Sequence, residues 1–253
     1  MDLGLSGLRA LITGGSKGIG RAAALTLAAE GCGIAICARN QAEIDATVAD
    51  ARTKGVTALG QPVDVGQKEA LTAWVAASAD ALGGIDILIL NVSALDMGQG
   101  EEAWRAEFEI DLMHTVRALE AALPYLERSA HPAVIVVSSV SGLEFDFTSA
   151  AYGTFKAALI HYASRMASAL AEKRIRVNTV SPGNTYFEGG IWQKIERDLP
   201  DLFKSAMELN PFGRMATDQE IANAVVFLAS PASSFTTGAN LVVDGALTRR
   251  MQY

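Results

Sequence analysis

The sequence has few cysteines, few histidines and no long uninterrupted hydrophobic run. Its only two cysteines, Cys32 and Cys37, lie in or beside an apolar segment, which indicates reduced core residues rather than a disulfide or metal pair. No stretch approaches ~18 consecutive strongly apolar residues, so the sequence predicts no membrane span. The three histidines, His114, His131 and His161, have no metal-ligand spacing with one another, and we expect no metal site.

Basic residues are outnumbered by acidic ones, and the formal net charge is −7. No run of consecutive basic residues is longer than a pair such as Arg249-Arg250, which argues against a nucleic-acid partner. The N-terminus lacks a basic region before its first apolar run, so no signal peptide is predicted and a cytoplasmic location is expected. Half of the 253 residues are hydrophobic, which is enough for a substantial core.

Short apolar runs alternate with alanine-rich helical patterns along the chain. Strands are predicted at 8–13, 33–38, 56–64, 85–90, 133–138, 175–180 and 240–245, and helices at 18–30, 41–54, 67–82, 101–127, 149–172 and 217–229. This alternation predicts one α/β domain over residues 1–253, a doubly wound parallel sheet of about seven strands with helices on both faces. An insertion at about 184–214 interrupts the alternation; we expect a substrate loop or lid, the alternative being a surface helix pair without a role.

A glycine-rich turn follows the first predicted strand and opens a helix. Gly14, Gly18 and Gly20 leave the backbone bare there, so a pyrophosphate can approach the free N–H groups at the helix N-terminus. The segment GGSKG also fits the nucleophile elbow of hydrolases, with Ser16 as nucleophile. That fold needs earlier strands to build its oxyanion hole, and only a short segment precedes Ser16. The turn therefore favours a dinucleotide over a hydrolase site.

The end of the second predicted strand bears on cofactor choice. An acidic residue near this point holds the ribose 2′-hydroxyl of NAD, whereas an arginine accommodates the 2′-phosphate of NADP. Arg39 stands there, and Lys17 adds a second cation beside the glycine turn. The pattern favours NADP(H) over NAD(H), the alternative being two ordinary surface charges.

Tyr152 and Lys156 lie four residues apart in a predicted helix, so their side chains are neighbours on one face. An ammonium group beside a phenol lowers the phenol pKa from about 10, which produces a proton donor and acceptor near neutral pH. Such a pair also occurs by chance in helices, so the other motifs must decide.

Taken together, these motifs make the chain resemble the short-chain dehydrogenase/reductase family over almost its whole length. TGGSKGIG (13–20) is similar to the family's TGxxxGxG loop and YGTFK (152–156) to its YxxxK, and Ser139 has the spacing of the family's catalytic serine. The resemblance implies a Rossmann-type fold and an NADP-dependent oxidoreductase that interconverts a secondary alcohol and a ketone, similar to 3-oxoacyl-[acyl-carrier-protein] reductases. It also implies a homotetramer or homodimer formed through the helices at about 101–127 and 149–172.

The motifs and the resemblance together assign the site residues. The catalytic residues are Ser139, Tyr152, Lys156 and Asp111. The cofactor-binding residues are Thr13, Gly14, Ser16, Lys17, Gly18, Ile19, Gly20, Arg39, Asn40, Asp64, Val65, Asn91, Tyr152, Lys156, Pro182, Gly183 and Thr185. The expected substrate contacts are Ser93, Phe145, Phe147, Phe187 and Trp192. The four aromatic residues predict an apolar wall and a hydrophobic ketone, alcohol or acyl chain as substrate.

The sequence departs from the family pattern at two places. Asp111 stands where the family usually has asparagine, and NVSA (91–94) stands where it commonly has NNAG. An ionised Asp111 has no N–H to donate and would hold Lys156 as a cation. The alternative left open is a non-catalytic NADP-binding protein with a regulatory or scaffold role.

Overall fold

A computed structural model gives the structure of residues 2–251. The described residues form the strands Arg9–Thr13 (β1), Gly33–Ala38 (β2), Ala58–Pro62 (β3), Ile87–Leu90 (β4), Ala133–Val137 (β5), Arg176–Pro182 (β6), Thr185–Tyr186 (β7), Ala216–Thr217 (β8) and Asn240–Val243 (β9). All except the short strands β7 and β8 form one parallel sheet in the order β3-β2-β1-β4-β5-β6-β9. The predicted doubly wound sheet is confirmed.

The helices cover both faces of this sheet. They are Gly18–Ala29 (α1), Gln41–Arg52 (α2), Lys68–Leu82 (α3), Glu101–Glu107 (α4), His114–Leu126 (α5), Ala150–Leu170 (α6), Ile191–Asp198 (α7), Pro200–Leu209 (α8) and Asp218–Ala229 (α9). Helices α1, α2 and α9 pack on one face, and α3, α5 and α6 pack on the other. As predicted, Cys32 and Cys37 are buried and free.

The helix predicted over 101–127 is not continuous. The residues between α4 and α5, Phe108–Met113, form a π-helical segment. A π-helical turn holds more residues than an α-helical turn, so it changes which side chains face inward, and such segments are frequent at functional sites. Apolar periodicity does not distinguish the two kinds of turn. Here the segment carries Asp111, which is fully buried.

The insertion at about 184–214 is ordered. Thr185–Tyr186 (β7) pairs with Ala216–Thr217 (β8), and helices α7 and α8 lie between these two short strands. A small apolar cluster holds the helices together, formed by Trp192, Ile195, Ala206 and Met215. Within residues 2–251, no helix combines the length and apolar character needed to cross a membrane.

Candidate active site

A cleft of about 1050 Å³ opens beside the carboxyl ends of the strands. The strand order reverses between β1 and β4, and ligands of open α/β sheets bind at such a point. Most of the predicted site residues line this cleft: Gly14, Ser16, Lys17, Ile19, Arg39, Asn40, Asp64, Val65, Asn91, Ser93, Ser139, Phe147, Tyr152, Lys156, Pro182, Gly183, Thr185, Phe187 and Trp192. Residues far apart in the sequence thus meet in one site.

The other predicted residues lie outside the cleft lining. Thr13 and Asp111 are buried behind it, and Gly20 closes the glycine turn, where a Cβ atom would lie 2.2 Å from the Gly14 carbonyl oxygen. Phe145 is fully exposed, so its assignment as a substrate contact is wrong in this structure. The physical reason is local: Phe145 points to solvent from the loop whose second phenylalanine, Phe147, turns into the cleft.

Phe187 lines the cleft and also contacts the glycine turn. Its ring packs on Gly18, so that a Cβ atom at Gly18 would lie 2.6 Å from the ring. Gly18 also has a positive φ of 52°, which favours glycine. Phe187 therefore lies between the glycine turn and Gly190, at the start of the helix that carries Trp192.

The glycine turn has the features of an anion site. Helix α1 begins at Gly18, and its N-cap residue, Lys17, makes no side-chain capping bond. Its first turn also carries no acidic residue. The uncapped N–H groups, the positive end of the helix dipole and the Lys17 charge all favour a phosphate, so these residues fit a dinucleotide.

A carboxylate that the sequence reading missed lies at the opposite end of the cleft from Tyr152. Asn40 caps helix α2 by accepting the Glu43 N–H at 3.2 Å, and Glu43 Oε2 accepts the Ser16 hydroxyl at 3.0 Å. Glu43 therefore lines the cleft together with Arg39. An N-cap asparagine followed three residues later by glutamate is a helix-start pattern that could have located it.

Thr13 and His114 support the glycine turn from behind. His114 Nδ1 lies 2.7 Å from the Ile110 carbonyl, which can only accept, so Nδ1 donates. His114 Nε2 then accepts the Thr13 hydroxyl at 3.0 Å, and Thr13 Oγ1 in turn accepts the Asn91 N–H at 3.1 Å. Burial lowers the pKa of His114 to about 4, so the ring is neutral near pH 7. His114 is thus a buried, neutral residue that supports the glycine turn through Thr13.

Tyr152 and Lys156 share a face of α6, with Lys156 Nζ 5.4 Å from the centre of the Tyr152 ring. Burial raises the pKa of Tyr152, and this effect exceeds the lowering caused by Lys156 and Ser139. Lys156 acts in the predicted direction, but burial outweighs its effect on the pKa of Tyr152 in the protein alone. The phenol is protonated near neutral pH.

Asp111 meets Lys156 in a fully buried ion pair. Lys156 Nζ lies 2.8 Å from Asp111 Oδ1, and the two side chains are 3% and 0% exposed. Asp111 Oδ2 accepts the Ala94 N–H at 2.8 Å. Burial alone would raise the pKa of Asp111, but Lys156 and the hydrogen bonds outweigh it, so the pKa is lowered and Asp111 is ionised.

Glu107 is a second buried carboxyl group that the sequence reading did not single out. It lies one helical turn before Asp111, is 0% exposed, and its Oε1 accepts the Asp96 N–H at 2.7 Å. Burial, followed by the neighbouring Asp111, raises the pKa of Glu107 to about 8. The spacing of four residues from Asp111 in the sequence was the available signal.

Ser139 lies at the start of the loop that follows β5. Its Oγ accepts the Ser141 N–H at 3.1 Å and lies 3.1 Å from the Ser141 hydroxyl, which donates to Asp146. Glu144 holds the far side of this loop, because its Oε1 accepts the backbone N–H groups of Arg249 and Arg250 at 2.9 and 2.8 Å.

An aromatic wall lines part of the cleft. The rings of Phe147 and Trp192 meet edge to face at 5.2 Å, and Trp192 meets Phe203 of α8 at 6.3 Å. These contacts connect the loop after β5 with the helices of the insertion. The wall therefore depends on two chain segments that pack against each other.

Comparison with known proteins gives consistent matches. A family model described as enoyl-(acyl carrier protein) reductase matches residues 14–248. Isoepoxydon dehydrogenase of Penicillium expansum is 39% identical, over 98% of this chain and 97% of that protein. L-sorbose reductase of Gluconobacter frateurii, complexed with NADPH and L-sorbose, has a TM-score of 0.92 at 29% identity, covering 99% of this chain and 100% of that one. A 7α-hydroxysteroid dehydrogenase complexed with NADH and 7-oxo glycochenodeoxycholic acid has a TM-score of 0.90 at 26% identity, covering 97% and 96%.

Proposed function

The chain belongs to the short-chain dehydrogenase/reductase family, and we propose that it is an NADP(H)-dependent oxidoreductase that interconverts a secondary alcohol and a ketone. The observation that carries the proposal is the convergence of Tyr152, Lys156 and Ser139 in a cleft that also holds an uncapped helix N-terminus. One end of the cleft suits a phosphate and the other suits proton transfer.

The cofactor would lie between these two ends. The glycine turn and the N–H groups of α1 would hold its phosphates, and Asp64, Asn91 and Thr185 line the cleft farther along. Arg39 and Lys17 supply positive charge for a 2′-phosphate, which favours NADP(H). Glu43 opposes that preference, and one of the similar structures contains NADPH while another contains NADH. When bound, the nicotinamide supplies or accepts the hydride.

The protein's own residues handle the proton. In ketone reduction, the protonated Tyr152 phenol donates its proton to the carbonyl oxygen, and the Ser139 hydroxyl holds that oxygen by a hydrogen bond. Lys156 stabilises the resulting phenolate, and Asp111 keeps Lys156 charged and in place. In alcohol oxidation the proton moves back to Tyr152. The raised pKa of Tyr152 keeps the phenol protonated near neutral pH, which is the form that ketone reduction needs.

The wall of Phe147 and Trp192 favours a substrate with an apolar ring or chain beside the reacting carbon. The ligand of the similar hydroxysteroid dehydrogenase has a hydrophobic ring skeleton, whereas L-sorbose is a polar sugar. A panel of cyclic ketones, 3-oxoacyl thioesters and ketoses, each with NADPH, ranks these classes by kcat/KM. We expect the cyclic ketones to rank first.

The decisive variant is Tyr152→Phe, which removes only the reacting hydroxyl. We expect it to lower kcat by about 10²–10⁴-fold, since a positioned acid contributes about that much. Tyr162→Phe on the same helix is the matched control, because Tyr162 packs in the core and lies outside the cleft lining. Wild-type turnover by the Tyr152→Phe protein would contradict the proposed mechanism. Binding of NADPH without turnover of any panel member would favour the non-catalytic alternative.

We also propose that the chain assembles as a homodimer or homotetramer. Trp104 and Phe108 are 40% and 41% exposed, and both rings pack against Phe155 of α6 to form one aromatic surface patch. Covering such a patch with a second copy removes apolar area from water. Light scattering coupled to gel filtration gives the mass, and Trp104→Asp should reduce it.

A further inference from the structure

Two buried carboxyl groups lie beside a single buried lysine. Glu107 and Asp111 are each 0% exposed, and Lys156 is their cation. The other titratable groups nearby do not add positive charge: Tyr152 on α6 is neutral near pH 7, His114 is neutral, and the Asp96 side chain caps Gly98. With both carboxyls ionised, the cluster would carry a net negative charge away from water, which is costly.

One proton removes that charge. Glu107 Oε2 is buried and has no hydrogen-bond partner among the described residues, while Glu107 Oε1 accepts the Asp96 N–H. Asp111 is fixed by Lys156 and by the Ala94 N–H. Asp111 Oδ1, apart from its ion pair with Lys156, likewise has no hydrogen-bond partner among the described residues, and the two carboxyl groups lie within hydrogen-bond reach of each other. A proton on Glu107 therefore lets it donate to Asp111, and the cluster becomes neutral. Two carboxyls that share a proton are a recognised arrangement in proteins.

The same two carboxyls also hold the loop after β4. Asp111 accepts the N–H of Ala94 and Glu107 accepts the N–H of Asp96, so they bind on either side of Leu95. Leu95 has a positive φ of 49°, a conformation that costs free energy for a residue with a side chain. Leu95 lines the cleft. The pair therefore connects the conformation of a cleft loop to the environment of Lys156.

We propose that Glu107 is a positioning residue that shares one proton with Asp111 and thereby sets the charge felt by Lys156 and Tyr152. The proposal rests on the proposed function, in which Tyr152 transfers the proton. Loss of the shared proton at alkaline pH places a second negative charge near the phenol. Such a charge raises the pKa of Tyr152. Alcohol oxidation needs the Tyr152 phenolate, so it would then require a higher pH.

The first test detects the proton without turnover. Infrared difference spectra at neutral pH compare the wild-type protein with Glu107→Gln, and with Glu102→Gln as control, since Glu102 is exposed in the first turn of α4. We expect the carbonyl band of a protonated carboxyl group in the wild type and in Glu102→Gln, and its loss in Glu107→Gln. A spectrum without that band, or a band that persists in Glu107→Gln, overturns the proposal, whatever the outcome with Tyr152→Phe.

The second test follows kcat for alcohol oxidation against pH. Glutamine reproduces the shape and hydrogen-bonding of the protonated acid, so Glu107→Gln should fold and turn over at neutral pH. In this variant, the rise of kcat with increasing pH should occur about half a pH unit or more lower than in the wild type. The reason is that glutamine at position 107 cannot become the second negative charge beside Asp111. An unchanged rise of kcat with pH, an inactive variant or a variant that fails to fold at neutral pH would each contradict the assignment.

Discussion

Replacing Asp111 by asparagine tests the buried ion pair most directly. The substitution keeps the size of the side chain but removes the negative charge 2.8 Å from Lys156 Nζ. Because the lysine side chain is only 3% exposed, water cannot replace that charge. Removing one partner of a buried ion pair typically destabilises the folded state by about 3–5 kcal/mol.

Glu107 should reduce this cost. Once Asp111 is neutral, the like charge that helps to raise the pKa of Glu107 is gone, so Glu107 can ionise and act as counter-ion to Lys156. We therefore expect the free energy of unfolding to fall by only about 2–3 kcal/mol in Asp111→Asn. In the double variant Asp111→Asn/Glu107→Gln, the full ~3–5 kcal/mol should appear.

Urea unfolding at pH 7 and a fixed protein concentration measures the loss in free energy of unfolding for the single and the double variant. The loss is calculated from the shift in the unfolding midpoint, provided that the denaturant dependence m stays the same. Asp50→Asn is the comparison, since the Arg21–Asp50 pair is 39% and 53% exposed and such pairs contribute about 0–1 kcal/mol. The reasoning fails if Asp111→Asn unfolds at the wild-type midpoint. It fails equally if adding Glu107→Gln to Asp111→Asn has no further effect.

Three other outcomes are expected. Burial beside Asp111 raises the pKa of Glu107 to about 8 from 4.5, so between these two pH values only the folded state binds the proton. The free energy of unfolding should therefore fall with rising pH by up to ~1.4 kcal/mol per pH unit because of Glu107. Urea unfolding midpoints measured from about pH 5 to pH 8 should show this fall in the wild type, and the contribution of Glu107 to it should be absent in Glu107→Gln. Glu43→Gln removes a carboxylate beside Ser16, so it should raise the ratio of NADP affinity to NAD affinity by roughly fivefold. Titration calorimetry with each cofactor measures this ratio, and an unchanged ratio would mean that the 2′-phosphate binds elsewhere. Thr217→Ala removes one half of the capping box of α9 and should cost about 1 kcal/mol in calorimetric unfolding, with no change in cofactor affinity.

The sheet and the glycine turn were predictable because their signals are local. Buried parallel strands read as short apolar runs, and the turn at 13–20 has its glycines in the sequence itself. The π-helical segment was not predictable, since a helix with one wider turn keeps nearly the same apolar pattern. Only its three-dimensional form shows that Asp111 faces Lys156 directly.

Burial explains the remaining differences at the site. The sequence shows that Lys156 lies next to Tyr152, but it does not show how far both are removed from water, and that burial decides the direction of the Tyr152 pKa. A glutamate in a helix is usually exposed, so Glu107 gave no reason for attention on its own. Phe145 and Phe147 have similar neighbours in the sequence, and only the path of their loop separates the fully exposed ring of Phe145 from the ring of Phe147, which contacts Trp192.

The contact between Glu144 and the end of the chain depends on main-chain atoms. Both of its bonds come from backbone N–H groups, those of Arg249 and Arg250, so almost any residue at these two positions can provide them. Proline is the exception, because it has no N–H. Position 249 should therefore tolerate any residue except proline. At position 250 the side chain matters as well, because the Arg250 guanidinium donates to the Leu143 carbonyl at 3.2 Å, so a substitution there removes one of the contacts that hold the loop.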